Sequence, residues 1–495
     1  MQKNDMTRNI APAGHQPSLR TEGSYEESEN PRIISKAEGE RIIERVLSFT
    51  SGGGKTSVYV IGSWTGELKW ARNRIALSSD RRNVMVVIRR RVTAMLSGMS
   101  TNQLDDVSLQ SMVKAAERQS NGRPRSWGID DVPIEAPVFE LPNPKIWSDA
   151  TYNNTAQQRT EIADVLMEEA EAKGMLSAGY LEMRAGSIHQ YNPSGEGWVE
   201  DTVHYGIHTQ AQCSMTVRHP KGVGSGWAGL SSFDWSAIDG PALAKRALDK
   251  CISSLNPVAI EPGRYTVILE PQAVADLVTE FMFWSYRVHA RMYPEVSGNG
   301  PWVLGPDPAV GLLRSKLGLK VVDERITIRH DPMDPMLGTL PIPGLAPITW
   351  IERGILKTLS HDYAYAKEML REDVKNLARD SFWMDGGPTS MDEMIETTKR
   401  GLIVTRFYDF RPIDQLSVLC TGVTRDGLWL VENGKITKAV KNMRVTESPM
   451  FVFNQVEQLG TPVPVFRPSN IGLTPAVVPP IKARDFSFTS MVDAV

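Results

Sequence analysis

The sequence predicts an α+β protein: an N-terminal α/β domain with an antiparallel meander and helices, followed by a predominantly β domain. The second domain is expected to form a curved or barrel-like sheet with a central helix. Three observations predict this. At 495 residues the chain exceeds what a single core usually serves. Alternating apolar and polar runs joined by short turns recur, as a meander requires. In the C-terminal half, a markedly apolar helical stretch after Pro271 stands among strand-like segments.

Residues 1–32 are polar and aperiodic, so a loose arm is expected, with one domain over 33–255 and a second over 256–495. Ser35-Lys-Ala-Glu38 resembles a capping box opening a helix through Phe49, with Ile42, Ile43, Val46 and Leu47 as its apolar stripe. Strands are expected at Ser57–Ile61, Glu67–Leu77 and Asn83–Val92, then a helix over Ser108–Arg118. Pro124–Pro144 reads as an extended connection. A helix follows over Asn154–Gly174, then strands at Ser177–Gln190, Gly197–Thr209 and Ala211–Arg218, and a helix over Gly240–Ser253. Asn256-Pro257 and Glu261-Pro-Gly263 mark the boundary.

Tyr265–Glu270 reads as a strand, and Pro271 suits a first helical turn. Leu277, Phe281, Trp284 and Val288 then recur at helical spacing. Further strands are expected at Leu319–Arg329, Ile348–Ser360, Gly401–Phe407 and Gln415–Arg425, with a type I′ hairpin at Asn433-Gly434. Gly298–Gly318 and Asp385-Gly-Gly-Pro are expected at the surface.

Charge is nearly balanced, at a formal −3, so nothing argues for nucleic acid. Cys213, Cys251 and Cys420 are scattered, which fits buried reduced thiols. No apolar run approaches a membrane span and no secretory signal is recognisable; a cytoplasmic location is expected by elimination.

Gly52-Gly-Gly-Lys55-Thr56 lacks the phosphate-loop spacing and precedes a strand, so a turn is the better reading. His204 and His208 fall on a strand, where residues four apart are separated by about 13 Å, too far for one ion. His189, His219 and Cys213 could converge with them across strands, but ordinary strand histidines are favoured. His289, His330 and His361 stand singly and read as satisfied or exposed. Gly224-Ser225-Gly226 lacks the spacing of a nucleophile elbow.

From Ala244 to Ser490, several segments carry a family resemblance in the same order. They are Ala244-Lys-Arg-Ala-Leu, Ile260-Glu-Pro-Gly-Arg-Tyr-Thr-Val-Ile-Leu, Ile326-Thr-Ile-Arg-His-Asp-Pro, Pro347-Ile-Thr-Trp-Ile-Glu-Arg-Gly-Ile-Leu-Lys, Leu428-Trp-Leu-Val-Glu-Asn-Gly-Lys-Ile-Thr and Lys482-Ala-Arg-Asp-Phe-Ser-Phe-Thr-Ser. Together they resemble the TldD/PmbA (modulator of DNA gyrase) metallopeptidase family. In that family the helix after Pro271 would carry His-Glu-x-x-x-His, where this chain reads Thr279-Glu280-Phe281-Met282-Phe283-Trp284. A third, cysteine ligand would fall at Phe466, within Val463-Pro464-Val465-Phe466. The resemblance therefore implies a PmbA/TldE-like member with vacant metal positions at Thr279, Trp284 and Phe466, and Glu280 as a remnant of the general base. Thr, Trp and Phe cannot replace imidazole or thiolate on zinc.

By resemblance, no cofactor is expected in this chain, and zinc is expected in a partner subunit. The implied partners are a ligand-bearing TldD-like homologue, or a second copy of the chain, and an unfolded peptide substrate. The resulting expectation is a non-catalytic subunit of a heterodimeric zinc metallopeptidase that cleaves or trims unfolded peptides. Two alternatives stand beside it: an active metallopeptidase with ligands displaced to His204, His208 or His289, and a stand-alone peptide-binding scaffold. Met282, Phe283 and Trp284 could line an apolar groove or fill core; core is favoured for at least two.

Overall fold

The structure, a computed structural model, describes residues 32–92, 95–120, 146–193, 201–286, 303–306, 313–331, 334, 336–337, 347–358, 381–414, 417–467 and 475–492. The expected arm up to residue 31, the Pro124–Pro144 connection, His289, His361 and most of Gly298–Gly318 lie outside the described residues.

The N-terminal half is an antiparallel sheet of six strands: β1 (Lys55–Ala71), β2 (Arg74–Val92), β3 (Met95–Thr101), β4 (Leu176–Asn192), β5 (Thr202–Arg218) and β6 (Ser225–Ser232). Their spatial order is β3-β2-β1-β4-β5-β6. One face is covered by helices α1 (Lys36–Ser48), α2 (Asp106–Ser120), α4 (Ala156–Ala172) and α5 (Gly240–Ser253), with the single-turn helix α3 (Asp149–Tyr152) between them. The Ser35 hydroxyl accepts the Glu38 N–H, as the cap at that position requires. Thr155 and Gln158 form a full capping box on α4.

Two expected boundaries are corrected here. Ser57–Ile61 and Glu67–Leu77 are not separate strands: β1 runs unbroken to Ala71, and the reversal falls at Arg72-Asn73, both in the left-handed region at φ 52° and 56°. Likewise the expected strands Gly197–Thr209 and Ala211–Arg218 are one strand, β5, running unbroken through Gln210; residues 197–200 lie outside the described residues. Gly66 marks no break because it makes room: a Cβ there would meet the buried Arg159 guanidinium at 2.3 Å.

In the C-terminal half, β7 (Gly263–Leu269) pairs in parallel with Arg400–Asp414 and antiparallel with Ile481–Met491. Ile481–Met491 pairs with Met443–Glu447, that strand with Leu419–Glu432, and Leu419–Glu432 back with Arg400–Asp414. Five strands thus close a ring, and Lys435–Ala439 and Val456–Leu459 pair along its outside. A smaller sheet has the order Ile355–Leu356, Ile348–Glu352, Ile328–His330, Phe382–Met384, Ala476–Val478, Val463–Pro464. Leu319–Arg329 is mostly turn rather than strand: Asp323 accepts the Ile326 N–H at 3.0 Å, and extended pairing begins only at Ile328. The Asn433-Gly434 hairpin turn forms as expected, whereas the expected strand Ile348–Ser360 reverses at Arg353-Gly354 into a hairpin; all four turn residues have positive φ.

Helix α6 (Pro271–Tyr286) lies between the ring and the smaller sheet. Its Val274, Leu277, Val278 and Phe281 are fully buried in one core with Trp350, Phe382 and Met384 of the smaller sheet and Leu402 and Val404 of the ring. Phe281 meets Phe453 of the short helix Pro449–Asn454 edge-on, with centroids 5.3 Å apart. Short helices at Pro449–Asn454 and Met391–Glu396 were not expected from the sequence.

Candidate functional site

Helix α6 leaves β7 beside the N-terminal sheet. Glu270, at the junction, receives the Lys250 ammonium of α5 at 2.5 Å. The Trp429 indole N–H donates to the Ser253 carbonyl at 3.3 Å. Both contacts pin the ring to α5. Next to them, β6 presents Trp227 and Ser231 to the C-terminal half. The Arg406 guanidinium lies 4.8 Å from the centroid of the Trp227 ring and makes an ion pair with the fully buried Asp426, its Nε donating to Oδ2 at 2.8 Å.

Phe466 enters this seam. Its ring stands edge-on to Trp227 at 5.9 Å and to Tyr180 of β4 at 6.4 Å. The following residue, Arg467, donates its backbone N–H to the Ser231 hydroxyl at 3.3 Å. Across the sheet, Ser79, Glu67, Glu182, Gln212 and Ser231 occupy one continuous cross-strand row. Tyr180 donates to Gln212 at 2.8 Å on the same face. A polar sheet face therefore runs up to the segment that carries Phe466.

On α6, Thr279 turns its hydroxyl back to the Ala275 carbonyl at 2.6 Å. Glu280 is half-buried and acts electrostatically on the buried Cys420 thiol. The side chains of Met282, Phe283 and Trp284 lie outside the described residues. One turn before Thr279, Asp276 shares a helix face with Glu280. Its Oδ2 accepts the Phe407 N–H at 2.9 Å, and Gln272 donates to Oδ1 at 3.3 Å. Asp276 keeps some accessible surface, yet dense surrounding protein desolvates it and pushes its pKa up to about 7, against the pull of the Phe407 and Gln272 hydrogen bonds and of Arg406 and Arg467. Sequence reading missed Asp276; the available signal was a lone carboxylate in the apolar run Ala273–Val278.

The described histidines do not converge. His204 and His208 fall on β5, facing Gln190 and Gly186 of β4, as the strand reading expects. His189 faces the other side, beside Tyr205 and against α1, where burial pushes its pKa down to about 4. Cys213, on that same helix-covered side, packs in the core, and burial pushes its thiol up to about 12. His330 is buried and bonded to Ser381 at 2.9 Å. Among the described residues no three His, Cys, Asp or Glu side chains group as a metal would need.

Residues 262–490 match the model of the PmbA/TldA metallopeptidase C-terminal domain. The chain carries a TldD/PmbA-family domain. Solved structures share the fold over almost the whole length. TldE from Thermococcus kodakarensis is 15% identical, with a TM-score of 0.71, over 91% of this chain and 99% of that one. A candidate modulator of DNA gyrase from Thermotoga maritima gives 15%, 0.71, 91% and 100%. Another from Bacteroides thetaiotaomicron gives 16%, 0.73, 92% and 100%. No curated protein matches the sequence.

A metallopeptidase family implies a metal, and the described residues at the inferred positions do not suit one. Thr279 spends its hydroxyl on its own helix, and Phe466 offers a phenyl ring packed between two aromatics.

Proposed function

We propose that the chain is the non-catalytic subunit of a heterodimeric zinc metallopeptidase that cleaves or trims unfolded peptides. The observation that carries this reading is Phe466 filling the seam against Tyr180 and Trp227, at the position where the family resemblance calls for a cysteine ligand. The same position that would hold metal instead joins the two halves of the chain. Substrate contact is supported by the strand Arg400–Asp414: past Phe407, whose N–H Asp276 takes, it has no ladder partner on the β7 side among the described residues. An extended peptide can add there as a strand, gaining main-chain hydrogen bonds with little sequence preference. Exposed Tyr408 and Ile413 lie on this stretch.

The test is co-expression with a homologue bearing His-Glu-x-x-x-His, followed by light scattering, pull-down and a peptide-cleavage assay. The expected result is a heterodimer whose turnover disappears when the homologue's motif is disabled, while this chain alone self-associates and stays inert. Turnover by this chain alone, surviving removal of contaminating proteases, refutes the non-catalytic role. A monomer that ignores the homologue refutes the pairing.

A further inference from the structure

At the end of β7 remote from α6, an open cleft of 660 Å³ is lined by Arg264, Tyr265, Arg400, Gln455, Arg484 and Asp485, among others. That volume falls within the range of small-molecule sites, roughly 300–1,000 Å³. The residues arrive from separate parts of the chain. Arg264 and Tyr265 open β7, Arg400 opens the neighbouring strand, Gln455 follows the Pro449–Asn454 helix, and Arg484 and Asp485 sit at the register irregularity of Ile481–Met491.

Three guanidinium groups thus face one lining carboxylate, and two of the three are stacked on aromatic rings. Arg264 lies over the Phe451 ring at 5.2 Å and donates to the Asp485 carbonyl at 2.5 Å. Arg400 lies over the Tyr265 ring at 5.7 Å, and that ring is anchored by its hydroxyl donating to the Glu261 carbonyl at 2.6 Å. Arg484 is held by Nε donating to Gln455 Oε1 at 2.9 Å. Neither Arg400 nor Arg484 makes an ion pair among the described residues, and Arg264 reaches Glu447 only at 3.5 Å. Burial raises the pKa of Glu447, against the pull of the Ser448 and Ser487 N–H groups and of Arg264. Stacked, pre-positioned guanidinium forks with spare donors suit phosphate oxygens. Three of them around a cleft this size suit more than one anionic group.

We propose that this cleft binds a pyrophosphate group. Isothermal titration of the full chain with inorganic pyrophosphate, at low and high salt, tests it. The expected result is one site per chain, weakened by salt, with affinity falling at least tenfold in Arg400→Ala and in Arg484→Ala. Arg411→Ala, an exposed charge elsewhere on the ring, leaves binding unchanged. Arg400 and Arg484 are exposed, so both variants are expected to fold, and circular dichroism checks each; either one alone suffices for the test. Absence of saturable binding at millimolar pyrophosphate overturns the assignment. So does binding that both variants leave within twofold, or orthophosphate binding as tightly as pyrophosphate. An adenosine diphosphate arm separates the sources: tighter binding than pyrophosphate assigns a nucleotide, and equal or weaker binding assigns the pyrophosphate group alone.

Discussion

Replacing Asp276 by asparagine should stabilise the protein at pH 8 and do little at pH 4. Asparagine keeps an oxygen for the Phe407 N–H and removes the charge that the surroundings of α6 disfavour. The folded carboxyl holds its proton up to about pH 7, against 3.8 for the ordinary group. The folded state therefore binds the proton more tightly than the unfolded state. Stability from this group is fully present below about pH 3.8, is lost as pH rises through about 7, and stays low above that. At about 1.4 kcal/mol per pH decade, the gap sets a ceiling of about 4 kcal/mol. Residual solvent access at Asp276 brings the expected gain at pH 8 to about 1–3 kcal/mol. Urea denaturation of parent and variant across pH 4–9 measures it. A difference between the two that does not change with pH would refute the reasoning, as would a variant less stable at pH 8 than at pH 4 relative to the parent.

Elemental analysis after dialysis should find no stoichiometric transition metal in the isolated chain; near one zinc per chain, held against a weak chelator, contradicts the reading of Thr279 and Phe466. In the assembled complex, Glu280→Gln should leave peptide cleavage within a few-fold of the parent, and a drop on the order of a hundredfold with pairing intact would return Glu280 to catalysis. Phe466→Ala should lower stability by about 1–3 kcal/mol, less than for a fully buried ring because Phe466 is half-exposed, measured by thermal or urea unfolding. A change under about 0.5 kcal/mol would show that the ring does not hold the seam.

Much of the fold was legible because the local chemistry was unambiguous. Ser35 announced the first helix, Pro271 opened α6, and Asn433-Gly434 fixed a hairpin. The errors have physical causes. The gap expected between Ile61 and Glu67 is bounded by Gly62 and Gly66, which instead admit Ile34 and Arg159 from the covering elements, a tertiary reason invisible locally. The alternation in Leu319–Arg329 suggested a strand because Val322 and Ile326 are both buried, though in a turn rather than a pleat. At the site, the identity of Thr279 and Phe466 could be read directly, whereas the stacking of Arg406 on Trp227 joins residues 179 positions apart and needed the folded chain.

Closure of the five-stranded ring sets a timetable for making the protein. Ile481 pairs with Leu269 and Phe488 with Gly263, so β7 waits for more than two hundred further residues before its antiparallel neighbour exists. During synthesis β7 and α6 emerge long before that, carrying Val267, Leu269, Val274 and Phe281 with nothing yet to bury them. The N-terminal sheet, complete by Ser232, can form on the ribosome; the ring cannot form until residue 491 has been translated. A nascent chain stalled after β7 and before Arg400–Asp414 would expose an unpaired, apolar strand, and it is in that interval that chaperone dependence and aggregation should concentrate.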